Sequence, residues 1–259
     1  HVKVVLSGDG GDEIFAGYPR QMAMQIAGLT DIVPTAVRRP LMRTVESSLY
    51  GGAKGRFTAP LRNAKKFARS AAMDFEDRYL GFGTYFTSSM KSSVLSPEML
   101  EKAEAFDAYR YHRTYFEKSR NASPLNRLLY VDFKTFMPAL NLDTTDRTSM
   151  AANLEVRAPF LNKDFVELSA RIPASLKIKG LKRKYVLKKA MENVLPRELI
   201  WRKKAGFGAP VRSWMRGTLR PMVSEYLSES NVRNRGLFRP DEIQNLLRSN
   251  DSGREDYSL

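Results

Sequence analysis

Val4-Val5-Leu6-Ser7-Gly8-Asp9-Gly10-Gly11-Asp12-Glu13 is the stretch from which the rest of the chain is read. Val2, Val4, Val5 and Leu6 form a short β-branched and aliphatic run, the pattern of a strand buried on both faces, and turn residues follow at once. Ile14, Phe15 and Tyr18 then recur at helical spacing. A strand, a glycine-rich loop and a helix start make a phosphate-sized concavity, because glycines let backbone N–H groups converge and the helix dipole adds positive potential. Asp9, Asp12 and Glu13 would repel a phosphate directly, so the pattern makes chemical sense with Mg²⁺ between carboxylate and phosphate. The implied ligand is a magnesium nucleotide or pyrophosphate. The same residues also suit a structural reading, with Asp12 and Glu13 complementing a helix dipole and Ser7 and Asp9 serving a turn. The loop alone does not separate the two.

Outward from this stretch, residues 20 to 120 are largely helical in pattern. Pro34 and Pro40 punctuate the first part, and Gly51-Gly52-Ala53-Lys54-Gly55 reads as a loop. The run Phe67, Ala71, Met73, Phe75, Tyr79, Leu80, Phe82, Tyr85 reads as core rather than a base-stacking platform. Thr87-Ser88-Ser89 and Ser92-Ser93 read as loop. Ser96-Pro97-Glu98 and Ser123-Pro124 are helix starts, and Leu125, Leu128, Leu129, Asp132 and Phe136 fall on one stripe of a helix predicted to pack beneath the site. Val186, Leu187, Ala190, Met191 and Val194 predict an amphipathic helix, with Lys184, Lys188 and Lys189 on its other face. Trp201 and Trp214 are expected to anchor the following loop by apolar burial, and His112 to have a packing or surface role. One or two peripheral helices are expected over 217–248, and a frayed end from Ser249.

Bulk properties narrow the choice. The chain has 259 residues, 42% of them hydrophobic, ample for a globular core. It has no cysteine, which excludes a disulfide framework, a thiolate nucleophile and a zinc knuckle, and fits a cytoplasmic location. No apolar run approaches the roughly 18 residues that span a bilayer, so no membrane partner is expected. The 43 Lys and Arg against 28 Asp and Glu leave a charge of +15, which suits a nucleic-acid partner. The basic residues are spread, however, and no nucleic-acid motif organises them, so most read as solvated surface plus a basic site for an anionic nucleotide.

Ser7-Gly8-Asp9-Gly10-Gly11-Asp12-Glu13 followed by Phe15-Ala16-Gly17-Tyr18 resembles the second nucleotide-site motif of the glutamine-hydrolysing asparagine synthetases. Asp146-Arg147-Thr148-Ser149-Met150-Ala151 leading into Leu154-Glu155-Val156-Arg157-Ala158-Pro159-Phe160-Leu161 resembles the central signature of that family. Arg202-Lys203-Lys204-Ala205-Gly206-Phe207-Gly208 resembles its C-terminal lysine loop. The resemblance implies that Ser7 and Gly8 contact ATP, and that Asp9 takes part in forming an aspartyl-adenylate. It also implies that Asp12 shares Mg²⁺ and pyrophosphate, and that Lys204 neutralises the phosphates and the oxyanion. Without it, Lys204 reads as a solvated surface lysine; Gly206 and Gly208 would make its loop flexible enough to deliver an ammonium and then release product. Asp146 with Arg147, and Glu155 with Arg157, read as buried or interfacial ion pairs that support the site. Thr144 stands where many relatives carry lysine and Asn162 where aspartate commonly follows Phe-Leu, either of which would suit a different acyl donor or acceptor.

The fold so implied is an α/β fold of the adenine-nucleotide α-hydrolase-like (PP-loop ATP pyrophosphatase) type, truncated and mainly helical with few strands. Residues 1–259 would be the C-terminal part of a single ATP-dependent synthetase domain, with an N-terminal glutaminase domain and a pyrophosphate loop missing. The expected cofactors are ATP and Mg²⁺, the substrates aspartate and ammonia from glutamine, and the assembly a possible homodimer. Two other readings are a relative that closes a β-lactam or lactam ring with an internal amine, and a non-catalytic basic module that binds RNA or acidic partners. On the synthetase reading, residues 1–259 by themselves give no aspartate-dependent pyrophosphate release, and steady release from this chain would refute that expectation.

Overall fold

The computed structural model describes residues 2–48, 58–202 and 209–252. They form two compact units, one from His1–Phe82 with Tyr109–Arg202 and the other from Gly83–Ala108 with Lys203–Leu259. The described part is mostly helical with one small parallel sheet.

In the larger unit, β1 (Val4–Leu6) runs parallel to β2 (Glu155–Arg157), with Val4 opposite Glu155, Val5 opposite Val156 and Leu6 opposite Arg157. These are the only strands among the described residues. The expectation of a strand buried on both faces is corrected: Val4 is 40% and Leu6 73% exposed. Alternate residues share a face, and the face carrying Val4 and Leu6 is open to solvent. The β-branched run thus reports a preference for extended backbone rather than burial.

After β1 the chain turns through Gly10, at φ 89°, into α1 (Gly11–Phe15). A side chain at Gly10 would be strained twice, by the left-handed backbone and by a Cβ 2.3 Å from Leu161 Cδ2. Ala16, also left-handed, ends α1, and Pro19 opens α2 (Pro19–Gly28). Beneath them lies the helix Pro124–Lys134, whose Leu125, Leu128, Leu129 and Val131 are buried against Ala16, Met24, Leu80 and Phe116. The expected stripe is present. Ser123 precedes Pro124 as its N-cap residue, as Ser96 precedes Pro97.

Asp132, fully buried on that helix, accepts hydrogen bonds from Arg20 Nη2 at 2.8 Å, Gln21 Nε2 at 2.7 Å and Tyr79 Oη at 2.5 Å. Burial, then the Asp132 charge, push the Tyr79 phenol well above its ordinary value, so it stays a donor. His112 packs against the rings of Tyr79 and Tyr109, and burial lowers its pKa.

Several local expectations give way to tertiary context. Pro40 lies inside the helix Thr35–Ser48 instead of ending it; packing against Thr58–Ala71 offsets a local penalty of about 3 kcal/mol. The serine-rich stretch expected as loop is a helix, Ser88–Val94, because Thr87 Oγ1 caps it by accepting from Met90 N at 3.3 Å. The amphipathic helix is shorter than predicted, Tyr185–Ala190, and Val194 is 68% exposed. In the smaller unit Trp214 is 45% exposed rather than buried. Val94, Val232 and Ile243 form that unit's core, with Phe86, Leu227 and Leu246 packed against it. Its last helix, Pro240–Ser252, continues past Ser249, where a frayed end was expected; 253–259 lie outside the described residues. No described helix is long and apolar enough to cross a membrane.

Replacing Asp132 by alanine strands three donors, one of them a guanidinium. The expected loss is about 3–5 kcal/mol, read from the urea midpoint of unfolding. A loss under about 1 kcal/mol would show that water or rearrangement satisfies those donors.

Candidate functional site

The loop after β1 is held from both sides. Ser7 N donates to Arg157 O at 2.8 Å, which extends the strand pairing, and Ser7 Oγ donates to Asp9 Oδ2 at 2.9 Å. Thr145 Oγ1 donates to the same oxygen at 3.2 Å from the helix Asp143–Ala151, so residues distant in sequence meet on Asp9. Beside them opens a cavity of about 400 Å³ at the carboxyl end of β1, lined by Asp9, Asp143, Thr145, Asp146, Leu142 and Val156 among others. Ligands of parallel α/β sheets bind at such strand ends. Pro138, also in the wall, cannot donate to an α-helical ladder, and Met137–Leu142 takes wider π-helical turns there.

Of the residues singled out in the sequence, Asp9 and Asp146 share this cavity, and Ser7 reaches it through Asp9. An added Cβ on Gly8 would meet nothing within 4 Å, so a ligand can approach its backbone. Asp12 engages elsewhere: its Oδ1 lies 2.6 Å from Lys184 Nζ, both partly buried. Arg147 pairs with Asp143 at 2.8 Å and Arg157 with Glu155 at 2.8 Å, in both cases on exposed side chains. The expected Glu155–Arg157 pair therefore forms, but on exposed side chains, whereas the expected Asp146–Arg147 pair is corrected to Asp143–Arg147. Asp143 and Arg147 stand one helical turn apart, the spacing at which side chains meet, whereas Asp146 and Arg147 are neighbours that diverge. Glu155 and Arg157 share one face of β2, whereas Val156 faces the cavity. Lys204 lies outside the described residues.

Lys184, read in the sequence as lying on the other face of an amphipathic helix, is brought to Asp12 by the fold. It occupies a left-handed position (φ 53°) just before the helix Tyr185–Ala190. Gly17 makes its approach possible, since a Cβ there would stand 1.7 Å from Asp12 Oδ1 and 2.3 Å from Lys184 Cε. Arg183 Nη1 donates to Gly17 O at 2.5 Å and secures the same segment. Next to Asp12, buried Glu13 Oε1 accepts from Tyr18 Oη and Asn141 Nδ2, both at 2.6 Å. Burial, then Glu13, raise the Tyr18 pKa and keep the phenol a donor. Asn162, the departure from the aspartate that commonly follows Phe-Leu, caps the helix Lys163–Arg171 by accepting from Asp164 N at 3.0 Å and Phe165 N at 3.3 Å. Either residue type fills that role.

The donor set constrains what can be held. Among the described residues no three carboxylate or imidazole side chains converge on one point, so these residues offer no ready-made metal cage. Mg²⁺ needs none, because it is usually held by one or two carboxylates, with phosphate oxygens and water filling the remaining positions. Asp12, with Lys184 beside it, fits that pattern.

A family profile described as asparagine synthase matches residues 1–259. The chain belongs to the asparagine synthase family. Among its relatives, asparagine synthetase [glutamine-hydrolyzing] 1 of Bacillus subtilis (strain 168) is 30% identical over 262 residues, covering all of this chain and 38% of that protein. The putative asparagine synthetase [glutamine-hydrolyzing] of Mycobacterium tuberculosis (strain ATCC 25618 / H37Rv) is 31% identical over 219 residues, 83% of this chain and 31% of the relative. Amidase chry2 of Gibberella zeae is 25% identical over 268 residues, 95% of this chain and 38% of the relative. This asparagine synthase family chain therefore spans less than two-fifths of the length of these relatives. No solved structure matches it.

Substituting Gly17 by alanine is expected to drive Asp12 and Lys184 apart and destabilise the chain by about 1–3 kcal/mol. A determined structure of the variant together with its thermal midpoint checks this; an intact 2.6 Å pair at unchanged stability would contradict it.

Proposed function

We propose that this chain supplies the nucleotide-handling half of an ATP-dependent amide-forming site, which activates the aspartate side-chain carboxylate as an adenylate for attack by ammonia. The observation that carries the reading is the Asp12–Lys184 pair beside the glycine loop at the carboxyl end of β1. β1 and β2 would be one edge of the larger α/β sheet of the adenine-nucleotide α-hydrolase-like type. Membership of the family supports the same chemistry.

Ser7 and Gly8 would meet ATP at the strand end, where the Gly8 backbone is unobstructed. Asp12 would hold Mg²⁺, which when bound offsets phosphate charge. Lys184 is already placed at Asp12 and would turn its ammonium to the departing pyrophosphate, the usual role of a point-charge donor. Asp9, fixed by Ser7 and Thr145, would orient the acyl group inside the cavity, with Asp146 in its wall. Leu142 and Val156 would exclude water from the activated acid. Lys204, in the stretch that resembles the lysine motif of the family, would stabilise negative charge as it develops on the reacting oxygen. Arg147, Glu155 and Arg157 would support from outside, steadying the helix and strand that carry Asp146 and Val156.

The test is pyrophosphate release with ATP, Mg²⁺, aspartate and ammonia, in a chain that places the N-terminal portion of the relatives ahead of residue 1. Aspartate-dependent release is expected, reduced about 10²-fold or more in Lys204→Ala and in Asp12→Ala. Release with another carboxylate only would keep the adenylation and replace the substrate. Release independent of Asp12 and Lys204 would overturn the assignment.

A further inference from the structure

A second cavity of the larger unit, about 360 Å³, opens where α1 meets the helices that carry Lys118, Asn126 and Val166. Ile14, Leu129 and Val166 give it a mainly apolar wall, into which Ser119, Ser169 and Lys177 bring polar groups. Lys177 is the last residue of the short helix Ala174–Lys177 and is only 2% exposed. Its Nζ donates to Asn126 Oδ1 at 3.1 Å, which uses one of three ammonium donors. Among the described residues no carboxylate pairs with it, and burial lowers its pKa to about 8. Glu13 also borders the cavity; its Oε1 accepts from Tyr18 and Asn141, both neutral donors, so the lining carries two cations, Lys118 and Lys177, against one carboxylate.

A buried ammonium held directly only by a neutral amide is unfavourable by several kcal/mol, and an anion beside it would offset that. The apolar walls disfavour a doubly charged phosphate and favour one carboxylate on a hydrocarbon chain. Lys118, the second cation of the wall, adds positive potential. We infer that this cavity binds a short aliphatic monocarboxylate, with its oxygens on Lys177 and its chain against Ile14, Leu129 and Val166. The inference does not rest on the nucleotide reading. Glu13, next to Asp12 on α1, borders this cavity.

Calorimetric titration of the 259-residue chain with butyrate, butyramide and inorganic phosphate tests this. Butyrate is expected to bind saturably, and butyramide and phosphate are not. At pH 8.5 butyrate binding should take up protons, seen as a buffer-dependent heat, because the paired Lys177 regains the proton that burial had weakened. Lys177→Met, which keeps the stem and removes the charge, should bind butyrate about tenfold or more weakly and lose the proton uptake. Butyramide binding as well as butyrate, phosphate outcompeting it, or no saturable heat in the unmodified chain would each overturn the inference. These arms need no variant, so they decide the matter even where Lys177→Met does not fold.

Discussion

The larger unit depends on one buried carboxylate. Asp132 gathers Arg20, Gln21 and Tyr79, and through them couples the two segments that build the site. Arg20 and Gln21 open α2 just beyond Gly17, so their anchoring fixes the downstream end of the glycine motif. Gln21 reinforces this by accepting from Tyr18 N at 2.9 Å. Asp132 itself sits on the helix that leads through Met137–Leu142 to Asn141, Asp143 and Thr145. A fully satisfied buried network is stiff because each lost partner strands a desolvated charge, and stiffness is what a positioned site needs.

Glycine geometry sets the second constraint. Gly10 allows the backbone to turn from β1 into α1 directly beneath Leu161, and Gly17 lets an aspartate and a lysine meet where any side chain would intrude. Both are steric requirements, independent of what ligand binds. They explain why a motif of small residues carries acidic groups: the glycines bring backbone close, and the carboxylates fill the space so created. Asp9 and Asp12 then face different partners, Ser7 and Thr145 for one and Lys184 for the other. Two acids three residues apart acquire separate roles through their surroundings rather than their chemistry.

The charge of +15 has a partly local explanation. Lys182 and Lys188 lie over the Trp201 ring, at 5.0 Å and 5.1 Å, and Lys179 over Tyr185 at 5.0 Å. Trp201 is thus half-buried beneath cations and beside the Tyr185 ring, and Arg183 and Lys184 lie in the same segment. Burial and the charges of Arg183 and Lys184 lower the Lys188 pKa, which shows how closely the cations are crowded. Such a concentration of positive charge attracts polyanions.

Local sequence determined the strand, glycine loop and helix of residues 4–15, the serine-proline helix starts at 96 and 123, and the buried stripe Leu125, Leu128, Leu129, Asp132. Each is encoded by periodicity, capping or backbone freedom within a few residues. The three-motif resemblance was legible too, since it needs only residue identity. Tertiary structure alone decided that Glu155–Arg157 is a strand, because one valine between two charged residues has no strand signature until β1 supplies hydrogen bonds. It also decided which ions pair. Arg147 chose Asp143 over its neighbour Asp146, and Asp12 found Lys184 far along the chain, because ion pairing depends on where side chains converge in space. The burial of Lys177 belongs to the same class: a lysine reads as surface in any sequence, and only the packing of helices around it removes its water.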